Sequence, residues 1–112
     1  MRELETELLQ NVRNFIKSAD LVYQQNDFTS ATVLYFKALF AIFDTIVLRE
    51  KGFAPKDHAD RFRILERDFP TLYKMIDKYF PIYQKSYKTS IEKEVCDEIK
   101  ENVKRITKEQ KV

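Results

Sequence analysis

The side chain best suited to proton chemistry near neutral pH in this chain is His58, its only histidine. It follows Asp57, a natural N-cap, so it falls in the first turn of an expected helix. There the helix dipole lowers an imidazole pKa and helps to hold an anion. A plainer account is a first-turn histidine packed against the preceding loop. A second candidate is the stretch PTLYKMIDKYFPIYQKSYKTS, Pro70 to Ser90. Tyr79, Tyr83 and Tyr87 recur every four residues and would share one helix face. Lys74, Lys78, Lys85 and Lys88 surround them. Aromatic rings can stack bases and lysines can track phosphates. The plainer account is half-buried bundle tyrosines with their hydroxyls at the rim, beside solvated lysines. Together these residues nominate an anion or nucleotide groove of Lys56, His58, Tyr83, Lys85, Tyr87 and Lys88.

The remaining reactive types carry less. Cys96 is the only cysteine, so no disulfide framework can form, and one thiol with one imidazole cannot make a structural zinc site. Its neighbours Glu94, Asp97 and Glu98 raise a thiol pKa rather than lower it, and Cys96 reads as a small apolar filler. Lys37 and Asp44 interrupt an apolar run. Buried charge is costly unless paired, and two turns apart they form either one polar stripe or a buried pair at an interface. No Gly-rich phosphate loop, HExxH helix or Ser-His-Asp arrangement is present. A ferritin-like metal bundle needs more than one histidine. Neither a metal nor a cofactor is expected.

The elements that must position these residues read as helices. The chain has 112 residues, one glycine and three prolines, too few breakers for an all-β fold. With 34% charged residues and a net charge of +2, it is not a polycation. Residues 70–90 hold four basic side chains and one acidic, whereas every other stretch is nearly balanced or acidic. An anionic partner would look there first. The acidic start MRELETELLQ is neither a signal nor a transit peptide, and no confident membrane span is expected.

A first helix is expected over Arg2 to Gln25, its stripe made by Leu4, Leu8, Val12, Phe15, Ile16, Ala19, Val22 and Tyr23. A second spans Phe28 to Lys51 and is apolar on nearly every face, ending at Gly52. A helix apolar all round must be enclosed. If its own subunit covers half of it, the remainder meets a twin, and Phe36, Phe40 and Phe43 are the candidate dimer interface. A third helix runs from His58 to Asp68. A fourth starts at Pro70 and is expected to kink or restart at Pro81. Thr89 with Glu92 resembles a capping box for a last helix striped by Ile91, Val95, Ile99, Val103 and Ile106. The expected fold is all-α, a single domain over residues 1–112. It is an up-and-down antiparallel bundle of four main helices plus a short extra one.

The order of segments resembles a known family. A long helix ends at YQQNDFTSA. Then comes YFKALFAIFDTIVLREKGFAPKDH, an aromatic helix closing on a Gly, a Pro and a His. An amphipathic helix closes the chain in SYKTSIEKEVCDEIKENVKRI. Over roughly residues 8–107 this is similar to the HEPN domain (higher eukaryotes and prokaryotes nucleotide-binding), in particular its small stand-alone archaeal and bacterial members. The resemblance implies an up-down bundle, a homodimer, and a nucleotidyltransferase as partner or toxin–antitoxin counterpart. Many active members are metal-independent ribonucleases that carry an Arg and, after four to six residues, a His near the start of the last long helix. Here that region reads IYQKSYKTSIEKE, with neither. Lys85 and Tyr87 are the nearest substitutes, but lysine does not replace an arginine fork and tyrosine is a poor base at neutral pH. The expectation is a cytoplasmic, non-catalytic binder of nucleotide, RNA or a nucleotidyltransferase. A ribonuclease with a degenerate motif and a purely structural interaction module are the alternatives.

Overall fold

The structure is a computed structural model that describes residues 2–112, Arg2 by its backbone alone. It is all-helical: α1 Arg2–Gln24, α2 Phe28–Lys51, α3 His58–Asp68, α4 Pro70–Lys85 and α5 Lys93–Glu109. The 24 residues of α2 make a rod about 36 Å long, which sets the 38 Å long dimension of the molecule. Asp27 starts α2 by accepting from the Ser30 N–H at 3.1 Å. Gly52 ends it at φ 86°, a left-handed conformation that L side chains adopt only with strain, and its N–H donates to the Leu48 carbonyl.

α2 is the axis of the core. α1 returns along it, so that Glu5 at the start of α1 meets Arg49 at the end of α2, and Asp20 meets Tyr35. α5 and α4 cover other faces, and α3 packs on α4. Every residue from Ala38 to Leu48 is buried. By length and hydropathy α2 could cross a membrane, but 83% of its most apolar window is inside this fold. The apolar run thus has an occupant on each side without a second subunit.

That corrects the expected dimer face. Phe36 and Phe43 are 0% exposed and Phe40 is 6% exposed. Phe36 meets Tyr79 and Tyr83 of α4, and Phe40 meets His58 of α3 and Phe80 of α4. Four helices share the cover of α2, and the three rings have no surface left to offer.

Two local expectations also change. α4 runs unbroken through Pro81. Pro81 and Asp77 both lie on the exposed side, where the carbonyl that proline cannot bond is open to solvent. Thr89 and Glu92 do not form a capping box. Glu92 is the N-cap of α5 with no side-chain bond, and Thr89 donates to the Lys85 carbonyl, closing the end of α4 instead. The link between the two helices is held by the Ile91 N–H on Thr29 Oγ1 at 2.8 Å.

A core role for these rings has a measurable signature. Phe43→Ala is expected to lose about 3–5 kcal/mol relative to the wild type in urea denaturation, and that loss is expected not to change with protein concentration. A concentration-dependent loss would place Phe43 at a subunit interface instead.

Candidate ligand-binding site

Three helices meet around one buried ion pair. Asp44 sits on α2 in the middle of the apolar run, and no partner on its own helix reaches it. Arg61, one turn into α3, does. Its Nε and Nη2 grip the two carboxylate oxygens at 2.7 and 2.9 Å, a fork-on-fork geometry. The side chains are only 10% and 12% exposed. The guanidinium carbon lies 4.9 Å from the centre of the Phe40 ring, which adds a cation–π contact. Of the two readings of Lys37 and Asp44, one polar stripe or a buried pair, the pair does not form, since Lys37 is exposed. Arg61 was missed, although an Asp inside an apolar helix demands a cation from a neighbouring element, and α3 is the nearest in the chain.

Arg61 then reaches outward. Its Nη1 lies 2.6 Å from His58 Nδ1. A guanidinium has only donors, so Nδ1 is the acceptor and the neutral imidazole carries its proton on Nε2. His58 Nε2 has no partner among the described residues, and the residue is exposed. Its ring stands edge-on to Phe40 at 4.9 Å, to Phe80 at 5.6 Å and to Tyr83 at 6.2 Å. Burial of the ring against these aromatics, then the Arg61 charge, push the imidazole pKa below its usual 6.5. Lys37 adds to that push, whereas Asp44 and Asp57 oppose it. The result is a neutral imidazole that offers one N–H.

Tyr83 and Tyr87 complete the notch. Tyr83 is buried against Phe36, Phe40 and Phe80, and burial first, with the Tyr87 bond second, pushes its phenol up to about 12. Tyr87 is 75% exposed, packs edge-on to Tyr83 at 5.8 Å, and points its hydroxyl at the Tyr83 oxygen at 3.3 Å. Of the six nominated groove residues, His58, Tyr83 and Tyr87 therefore converge. Lys85 follows Tyr83 by two positions, about 200° around the helix, and so leaves on the opposite side of α4. Lys88 lies in the turn beyond, exposed. Lys56 is exposed too, and its charge acts on Asp60 rather than on His58. Lys37, not nominated, is the lysine whose charge His58 feels. Tyr79 does not join the surface. Its ring is buried and its hydroxyl turns to α5, where it donates to Glu98 and accepts from Asn102.

Cys96 is buried and burial raises its thiol pKa, so it packs. Among the described residues no three His, Cys, Asp or Glu side chains gather as a metal site. Compared with models of known families, with curated proteins and with solved structures, the chain matches none.

Removing one partner of the buried pair strands the other. Arg61→Met is expected to cost about 3–5 kcal/mol, whereas Asp44→Leu with Arg61→Met should recover most of that loss, both read by urea denaturation. His58 makes a second check. Its folded pKa lies below the unfolded one, so the unfolded chain binds the extra proton and stability falls as pH drops below about 6.5. That slope is expected to vanish in His58→Gln, and the single imidazole should titrate by NMR below 6.5 with its neutral form protonated at Nε2.

Proposed function

We propose that the protein is a non-catalytic, HEPN-like up-and-down bundle, a cytoplasmic homodimer, whose α2–α3–α4 notch binds a nucleotide or single-stranded RNA. The observation that carries this reading is the convergence of three side chains on one surface, the His58 N–H, the exposed Tyr87 ring and the Tyr83 ring behind it, with the exposed Lys37 near enough for its charge to act on His58. A phosphate takes the N–H and the ammonium, and a base stacks on Tyr87. The HEPN-like order of segments makes a nucleotidyltransferase the corresponding protein partner.

The ribonuclease alternative asks His58 to accept a proton. Its Nδ1 lone pair accepts from Arg61 and its Nε2 carries the proton, which supports the non-catalytic reading. The imidazole N–H supports holding an anion rather than cleaving one.

Fluorescence anisotropy with a short labelled RNA, competed by ATP, tests the reading at about 50 and 200 mM salt. Tyr87→Ala should weaken RNA by about 1–3 kcal/mol, and Lys37→Ala should lower the salt slope by about 1. No binding at the lower salt would remove the ligand and leave a protein-only interaction module. Binding unaffected by either change would move the site elsewhere.

A further inference from the structure

A second surface has no part in the notch. α1 and α5 both lie on α2, but they scarcely pack on each other. The seam between them is crossed by polar bridges. Tyr23 donates to Asp97, Lys104 pairs with Asp20 at 2.8 Å, and the Lys100 ammonium sits 3.8 Å over the Tyr23 ring. Beyond these bridges the seam opens into a groove of about 420 Å³. Val12, Ile16, Leu21 and Val112 make it apolar, and Arg13 and Lys17 stand at its edge. Leu21 is 54% exposed, the most exposed leucine-sized aliphatic side chain of the fold. Arg13 and Lys17 have no ion-pair partner among the described residues. Asp20, the only acidic side chain among the residues that line the groove, is already taken by Lys104 and Tyr35.

The occupant can be read from α1 itself. Its exposed stripe is Glu3, Glu7, Gln10, Asn14, Lys17 and Leu21, at alternating steps of four and three residues. The charge reverses along it: acidic in the first two turns, uncharged in the middle, basic in the second half. Glu3 and Glu7 have no ion-pair partner among the described residues either, since Glu5 alone of the three takes Arg49. Such a stripe is complementary to itself when turned end for end. About a two-fold axis near residue 12, Glu7 of one copy faces Lys17 of the other and Lys17 faces Glu7. Gln10 faces Asn14, and Leu21 faces Glu3 in the first turn, beside the half-buried Leu4. An isologous interface requires this reciprocity. A parallel arrangement would set Glu7 on Glu7 and Lys17 on Lys17, which repel.

We infer that the α1 face and its groove bind a second copy of the chain as an antiparallel α1–α1 pair. This gives the proposed homodimer a face, and it stands or falls separately from ligand binding at the notch.

Light scattering after size exclusion tests it on three forms of the full chain. The wild type is expected at twice 13.5 kDa. Glu3→Lys with Glu7→Lys makes the stripe wholly basic or neutral, and Arg13→Glu with Lys17→Glu makes it wholly acidic or neutral. Each should run as a monomer alone, and their equimolar mixture should run as a dimer. All four positions are exposed, and circular dichroism confirms that each variant is folded. Leu21→Asp should weaken the dimer in an otherwise wild-type chain. A wild-type monomer at about 100 μM, a concentration that would reveal even a weak dimer, overturns the proposal and leaves the groove to a different protein. A dimer that survives both charge sets overturns it as well.

Discussion

Asp44 is set into the most apolar helix of the fold, and the arrangement of the neighbouring helices follows from what that carboxylate requires. A buried charge needs both an opposite charge and full hydrogen bonding. Arg61 supplies both, and it does so from α3, the shortest helix. α3 has few apolar residues turned inward, chiefly Ile64 and Leu65, and most of its packing is on α4. The ion pair is what fixes its rotation over α2. Once Arg61 is anchored, its remaining nitrogen and the flat face over Phe40 fix His58 in turn.

The chain of bonds from Asp44 through Arg61 to His58 carries polarity from the core to the surface. Each link constrains the next: carboxylate to fork, fork to Nδ1, and therefore proton to Nε2. A histidine at a helix start with no such support would rotate and titrate near its ordinary pKa. Here it is kept neutral by apolar rings and by a fixed positive charge. The same rings leave Tyr87 standing clear on an otherwise enclosed aromatic cluster. Rigid support behind an exposed ring is the arrangement that lets a flat ligand stack without first ordering the protein.

Much of the helix plan was readable because its signals are local. Asp27 and Asp57 as caps, Gly52 as a stop and Pro70 at a first turn act within one turn of the chain, and α2 and α3 fall where those residues place them. The restart at Pro81 and the Thr89–Glu92 capping box were misread because tertiary setting decided between two local options: solvent tolerated one missing hydrogen bond, and the end of α4 claimed Thr89 first. The site was readable in part. His58, Tyr83 and Tyr87 announce themselves by type and spacing. Arg61 does not, since an arginine in a charged helix is unremarkable until its distance to Asp44 is known. Phe36, Phe40 and Phe43 show the limit most plainly. An all-round apolar helix says that it is covered, but not by whom, because periodicity carries no information when every face is alike.

Three phenols in the helix seams give this fold a consequence at the alkaline end of the pH scale. Tyr23 donates to Asp97, Tyr35 to Asp20 and Tyr79 to Glu98, so each joins one helix to a carboxylate on another. The proton that makes the bond is the one that a base would remove. For Tyr35 and Tyr79, burial first and the carboxylate second push the phenol upward, Tyr79 to about 12. For Tyr23 the carboxylate is the larger cause. A folded pKa above the unfolded value of about 10 means that stability is whole below that pH and drains away above it. Loss of these protons would put phenolate beside carboxylate in three helix seams at once. A rise in pH past about 10 is thus expected to loosen all three seams together.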